Sequence, residues 1–149
     1  MSAAFKTVSW SGHYHGVASL LIDNGSVTIS SVKGTGTGTL LGASTVVGKG
    51  SASAAAQCDP FTGKGSITGA KGKIDLTVTE SKSSGCSSGE SGPITVKFDG
   101  VAVATGGSGT ASGATGTLKF SGNLKLANTS GSQNGPYTVT LSGKLKVKG

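Results

Sequence analysis

The sequence predicts an all-β fold, a closed antiparallel barrel of about eight strands. Three observations carry this. The chain is built from glycine, serine and threonine, with 27 glycines in 149 residues, and holds no sustained run of helix formers. Its apolar residues alternate with polar ones over several long stretches, the period of a half-buried strand. The apolar parity of four of these stretches is interrupted by one glycine, a device that bends a long strand at a barrel corner. The length suits one domain, residues 1–149.

The clearest strands lie in the second half. In "TLKFSGNLKL", Leu118, Phe120, Leu124 and Leu126 share one parity, and Lys119, Ser121, Asn123 and Lys125 the other. In "YTVTLSGKLKVK", Tyr137, Val139, Leu141, Leu145 and Val147 alternate with Thr138, Thr140, Ser142, Lys144, Lys146 and Lys148. The interrupting glycines are Gly122 and Gly143. "ITVKFDGVAVA" repeats the device with Ile94, Val96 and Phe98 before Gly100, and so do Val8 and Trp10 before Gly12 and Tyr14. Further strands are expected over 17–22, 26–32, 35–41, 44–50, 64–69 and 72–80. Turn signals fall at Asn24-Gly25, Asp59-Pro60 and Asn134-Gly135-Pro136, the first of them a hairpin signal. "SSGCSSGESG" (83–92) reads as a loop pinned by Cys86.

The charge is +7, all 13 cations being lysine. Without arginine the chain lacks the planar fork that reads guanine and grips phosphate, and it holds few aromatic rings for base stacking. Sequence-specific nucleic-acid binding is therefore not expected, and the lysines read as a solvent face. No stretch is apolar enough for a membrane helix. Cys58 and Cys86 form an even pair in a Ser/Thr/Gly-rich chain, which predicts a disulfide and an oxidising compartment; two free thiols are the alternative. "MSAAFKTVSW" reads as a start residue joined to a mature N-terminus, so a secreted protein whose leader has been removed is the expectation.

Several segments invite a chemical reading. Gly107-x-Gly109 followed by Gly113 loosely matches a dinucleotide fingerprint, but the segment after it, "TLKFSG", is a strand, and the fingerprint needs a helix there. "GKGS" occurs at 48–51 and again at 63–66. It misses a phosphate loop because glycine, not serine or threonine, follows the lysine. His13 and His15 share a face, half of a metal site, but parity puts them outside and there is no third histidine; no metal is expected. Glu80 shares parity with Ile74, Leu76 and Val78, which would place a carboxyl at a barrel mouth where burial raises its pKa; fraying into the next loop is the alternative. Trp10, Tyr14, Phe98, Phe120 and Tyr137 are candidates to wall a pocket, or simply to fill the core.

"VAVATGGSGTASGATGTLKFSG" resembles the signature of the allene oxide cyclase and dirigent superfamily: a strand into a GGSG turn (Gly106, Gly107, Ser108, Gly109), then Gly113, Ala114 and Gly116, then the next strand. "GTGTGTLLGASTVVGKG" (34–50) is similar to an early segment of its small bacterial members. The resemblance implies an eight-stranded barrel with an apolar cavity, often a homo-oligomer of two or three chains. The group's arginine has no counterpart here, and neither Glu80 nor Glu90 sits in the cyclases' glutamate motif.

Inward faces carry few titratable groups, so the leading expectation is a secreted noncatalytic barrel without a cofactor, one that binds a small apolar molecule or serves as a surface or matrix component. One alternative is a cofactor-free cyclase or stereo-directing protein, with Glu80 as acid and Tyr14 or Tyr137 as hydrogen-bond donor. Another is a self-associating structural protein.

Overall fold

Strand pairing closes the chain on itself. The computed structural model describes residues 5–23, 25–53, 58–79, 83–87, 94–127 and 131–148. The strands are β1 (Phe5–Asp23), β2 (Ser26–Gly38), β3 (Gly42–Ser53), β4 (Cys58–Gly69), β5 (Gly72–Val78), β6 (Ser84–Ser87), β7 (Ile94–Gly109), β8 (Thr115–Leu126) and β9 (Gly131–Lys148). Their order is β3-β2-β1-β9-β8-β7-β5-β4, and β4 pairs back onto β3, so eight antiparallel strands make a closed barrel. The ninth, β6, pairs with the same two neighbours as β5, namely β4 and β7, further along them. Strands β5 and β6 thus share one slot of the wall.

Alternation sorts the side chains as expected in β8 and β9. Leu118, Phe120 and Leu126 are buried, as are Tyr137, Leu141, Leu145 and Val147, while the intervening lysines and threonines are exposed. The four interrupting glycines face inward: Gly12 is buried, and Gly100, Gly122 and Gly143 are half-buried.

Several expected boundaries move. The stretches around Val8–Tyr14 and 17–22 are one strand, as are 26–32 and 35–41 up to Gly38, and an extra residue in β2 near Ser30 shifts its register against both β1 and β3. Residues 39–41 are a turn, and β5 ends at Val78, short of residue 80. Of the stretch read as a loop, Ser84–Ser87 is a strand that pairs on both sides without any apolar residue to announce it.

Two expected turns lie inside strands. Pro136 sits in β9 opposite Val17, beyond the last β8 pair at Leu124 and Tyr137. Pro60 sits in β4 opposite Ser84, beyond the last β3 pair at Ala52 and Phe61. Each proline therefore lies where its strand has lost one neighbour, and its missing N–H interrupts no ladder there.

One end of the barrel is plugged. The turn after β2 brings in Leu41, and the turn between β7 and β8 brings in Ala111 and Ala114, all buried. The two turns are tied by the Thr110 hydroxyl donating to the Leu40 carbonyl at 2.8 Å. Lys148 N–H donates to the Ser112 carbonyl at 2.9 Å and holds the end of β9 under the same turn. Above this floor Trp10, Tyr14, Ile67, Ile74, Leu118, Leu145 and Val147 fill the lumen.

Candidate ligand cavity

The inward glycines follow a pattern that periodicity alone does not reveal. In the plugged half, and around its rim, large side chains lie over glycines of their own strand or of the next. A Cβ at Gly12 would sit 2.6 Å from Trp10 Cη2 and 2.7 Å from Tyr14 Cε2. One at Gly38 would sit 2.8 Å from Trp10 Cζ2, and one at Gly36 would sit 2.8 Å from Tyr14 Cδ1. Phe120 stands opposite Gly100 and Phe98 opposite Gly122, with ring carbons 2.9 Å and 2.8 Å from the missing methyls. Tyr137 stands opposite Gly16 and reaches across it until its hydroxyl rests over Gly34, Gly16's partner on β2. Each glycine is a socket for a ring, the cross-strand cover that stabilises glycine in a sheet.

Strands β3 and β4 break the pattern. Here the two "GKGS" segments pair antiparallel: Gly48 faces Gly65, Lys49 faces Lys64, and Gly50 faces Gly63. The lysines point to solvent and the four glycines face the lumen. The nearest neighbours of a Cβ at any of them are backbone atoms of the paired strand, not a side chain. The result is a panel of bare backbone on one wall of the barrel. These segments are strands and not phosphate loops, and no helix follows the glycine run at 106–116, which enters β8.

In front of this panel the open half of the lumen is a cavity of about 980 Å³. The rest of its wall is branched and apolar, with Leu20, Ile29, Val96, Leu124 and Val139 among the lining residues. Its base is formed by Ile67, Leu76 and the aromatic cluster of Phe61, Phe98 and Phe120, whose centroids are 5.9–6.4 Å apart in tilted and edge-on arrangements.

The five aromatic residues singled out in the sequence divide between the halves. Phe98, Phe120 and Tyr137 line the cavity. Trp10 and Tyr14 belong to the plug, and Tyr14 shares a hydrogen bond of 2.7 Å with the buried Ser44 hydroxyl. Burial raises the Tyr14 phenol above its ordinary value, against a smaller lowering from Ser44. Burial alone pushes Tyr137 up to about 12. The hydroxyl of Tyr137 has no hydrogen-bond partner among the described residues, and neither does the indole N–H of Trp10. Phe61 was not singled out, because the Asp59-Pro60 beside it reads as a turn.

Glu80 and Glu90 lie outside the described residues. The carboxylate that does border the cavity is Asp59, half-buried near the start of β4. His13 is exposed and its Nδ1 is 2.8 Å from the Thr140 hydroxyl; His15 is exposed beside it. Among the described residues no three His, Cys, Asp or Glu side chains gather as a metal site would require. No helix of the described residues is long and apolar enough to cross a membrane.

Cys58 and Cys86 are bonded, as direct cross-strand partners with Cα atoms 4.0 Å apart. The bond fastens β6 to β4 at the open end. Ser83, buried ahead of β6, closes the remaining gap: its hydroxyl accepts from Val101 N–H at 3.3 Å and its carbonyl from Phe61 N–H at 3.2 Å. Gly100 makes room for it, since a Cβ there would collide with the serine side chain.

No family model, curated protein or solved structure matches this chain. The reading of the cavity therefore rests on its geometry and chemistry.

Proposed function

We propose that the protein is a secreted barrel that holds a small, uncharged, apolar molecule in the open half of its lumen. The observation that carries this reading is the contrast within one lumen: a filled floor below and an apolar space of about 980 Å³ above it. That volume is at the upper end of the range typical of small-molecule sites. The charged side chains that border it are few. Lys49 and Lys64 are exposed and Asp59 sits near the start of its strand, so a charged ligand would leave water for a wall that offers it little. The disulfide favours an oxidising compartment. The resemblance of residues 34–50 and 101–122 to the allene oxide cyclase and dirigent group fits a barrel of this kind and supports the reading.

Titration with N-phenyl-1-naphthylamine tests it. This dye is uncharged, so surface lysines do not attract it, and its fluorescence rises in apolar surroundings. The expected result is saturable binding at one site per chain, abolished by Ala52→Trp, which fills the space beside the bare panel. Absence of saturable binding, or binding unaffected by that substitution, contradicts the proposal.

A further inference from the structure

The cavity reading leaves the chemical class of the ligand open, and the glycine sockets narrow it. Gly12, Gly36, Gly38, Gly100 and Gly122 each have a ring from this chain against them. At the four glycines of the panel a Cβ has facing-strand backbone as its nearest neighbours instead, although they pair with one another directly and are only half-buried. Bare paired backbone in an apolar lumen is a flat surface, and the plugged half shows what packs on such a surface in this barrel. Resting on the reading above, we infer that the ligand presents a planar ring system to the panel of Gly48, Gly50, Gly63 and Gly65, supplying from outside the ring that the chain supplies elsewhere.

One further feature of the same cavity agrees with this. At its base Phe61, Phe98 and Phe120 offer ring edges and faces at contact distance for an aromatic guest. The ligand class that satisfies both is an uncharged planar molecule, aromatic or conjugated. A flexible alkyl chain would fill the volume and leave the flatness unused.

The barrel's own shape gives the panel a second role. A Cβ at Gly50 or Gly65 would overlap a carbonyl oxygen of the facing strand, so these glycines also let β3 and β4 coil closely. That role explains why side chains are absent. It does not put a ring over them.

The test compares two tricyclic hydrocarbons with the same carbon skeleton, planar phenanthrene and buckled perhydrophenanthrene, as competitors of N-phenyl-1-naphthylamine. Each affinity is referenced to the compound's own partition from water into cyclohexane, which removes their different hydrophobicity. Phenanthrene is expected to bind about two- to tenfold more tightly on that scale, the range of a ring-stacking contribution. In the proton NMR spectrum the Hα signals of Gly48, Gly50, Gly63 and Gly65 are expected to move upfield, since they would lie under the face of the aromatic ring. Equal referenced affinities, or ring-current shifts at the mouth residues Ile22 and Val27 and not at the panel, overturn the inference while leaving the cavity reading intact. If N-phenyl-1-naphthylamine itself fails to bind, the cavity reading falls, and this inference with it.

Discussion

The two halves of the barrel use the same residue for opposite ends. In the plugged half large side chains lie over glycines of the next strand, as Trp10 lies over Gly38 and Tyr14 over Gly36, and the lumen fills. In the open half, on β3 and β4, glycine faces glycine, and the lumen stays empty in front of them. Glycine content by itself therefore predicts neither a core nor a cavity. Glycine also faces glycine in the plugged half, at Gly12 and Gly38, so what matters is whether a ring from a nearby position lies over the pair.

The largest expected effect breaks the plug. Trp10→Ala removes a fully buried indole that rests on Gly12 and Gly38 and is expected to destabilise by roughly 3–5 kcal/mol. Ile29→Ala, a half-buried cavity-wall residue, should lose less than half of that by chemical denaturation. Equal losses would erase the distinction between a packed and a hollow half.

Removing the disulfide with Cys58→Ser and Cys86→Ser together is expected to cost about 3–4 kcal/mol in the chain-entropy model. Hydrogen exchange should quicken first in β6 and in its partners near Pro60 and Phe98, because β6 has no buried apolar side chain to hold it. Uniform loss of protection around the barrel would contradict that assignment.

A sharper contrast comes from adding atoms. Gly122→Ala puts a methyl against Phe98 and the Thr138 carbonyl and should cost about 1–3 kcal/mol. Ala52→Leu adds more atoms to the open cavity and should change stability by no more than about 0.5 kcal/mol. Thermal or denaturant unfolding of the two variants reads the difference directly.

The smallest effect is on the tyrosines. Both phenols are raised by burial, Tyr137 to about 12. The unfolded chain titrates near 10, so the folded state holds these protons longer. Their contribution to stability is complete below about pH 10 and fades as the pH rises through the raised values, for Tyr137 at about 12. With two tyrosines in the chain, the phenolate absorbance of the folded protein should show no step at the ordinary value. A full-amplitude step near 10 in the folded state would place at least one ring in water.

The sequence made the shell legible where a strand carries apolar residues on one face. Leu118, Phe120, Leu124 and Leu126 announced β8, and Tyr137 through Val147 announced most of β9. It failed where glycine holds the inward positions. Gly34, Gly36 and Gly38 erase the alternation of β2, and Gly16 splits β1 into two apparent strands. Strand β6, Ser-Gly-Cys-Ser, has no apolar signal at all and is held by its two neighbours and a disulfide. The cavity was partly readable through Phe98, Phe120 and Tyr137, but not its most distinctive wall. The repeated "GKGS" was the visible sign of that wall. Lysine alternating with glycine on two segments that pair means charge outside and bare backbone inside, and that meaning appears only once β3 is known to face β4.

Above its filled floor the lumen holds an empty apolar space, and xenon reports such a space without chemical preference. Crystals held under xenon pressure should show gas density inside the barrel between Leu20, Ile29, Val96 and the Gly48–Gly65 pair, and none among Trp10, Tyr14 and Leu118. Xenon absent from the upper lumen, because side chains have collapsed into it or ordered water fills it, would contradict the central claim.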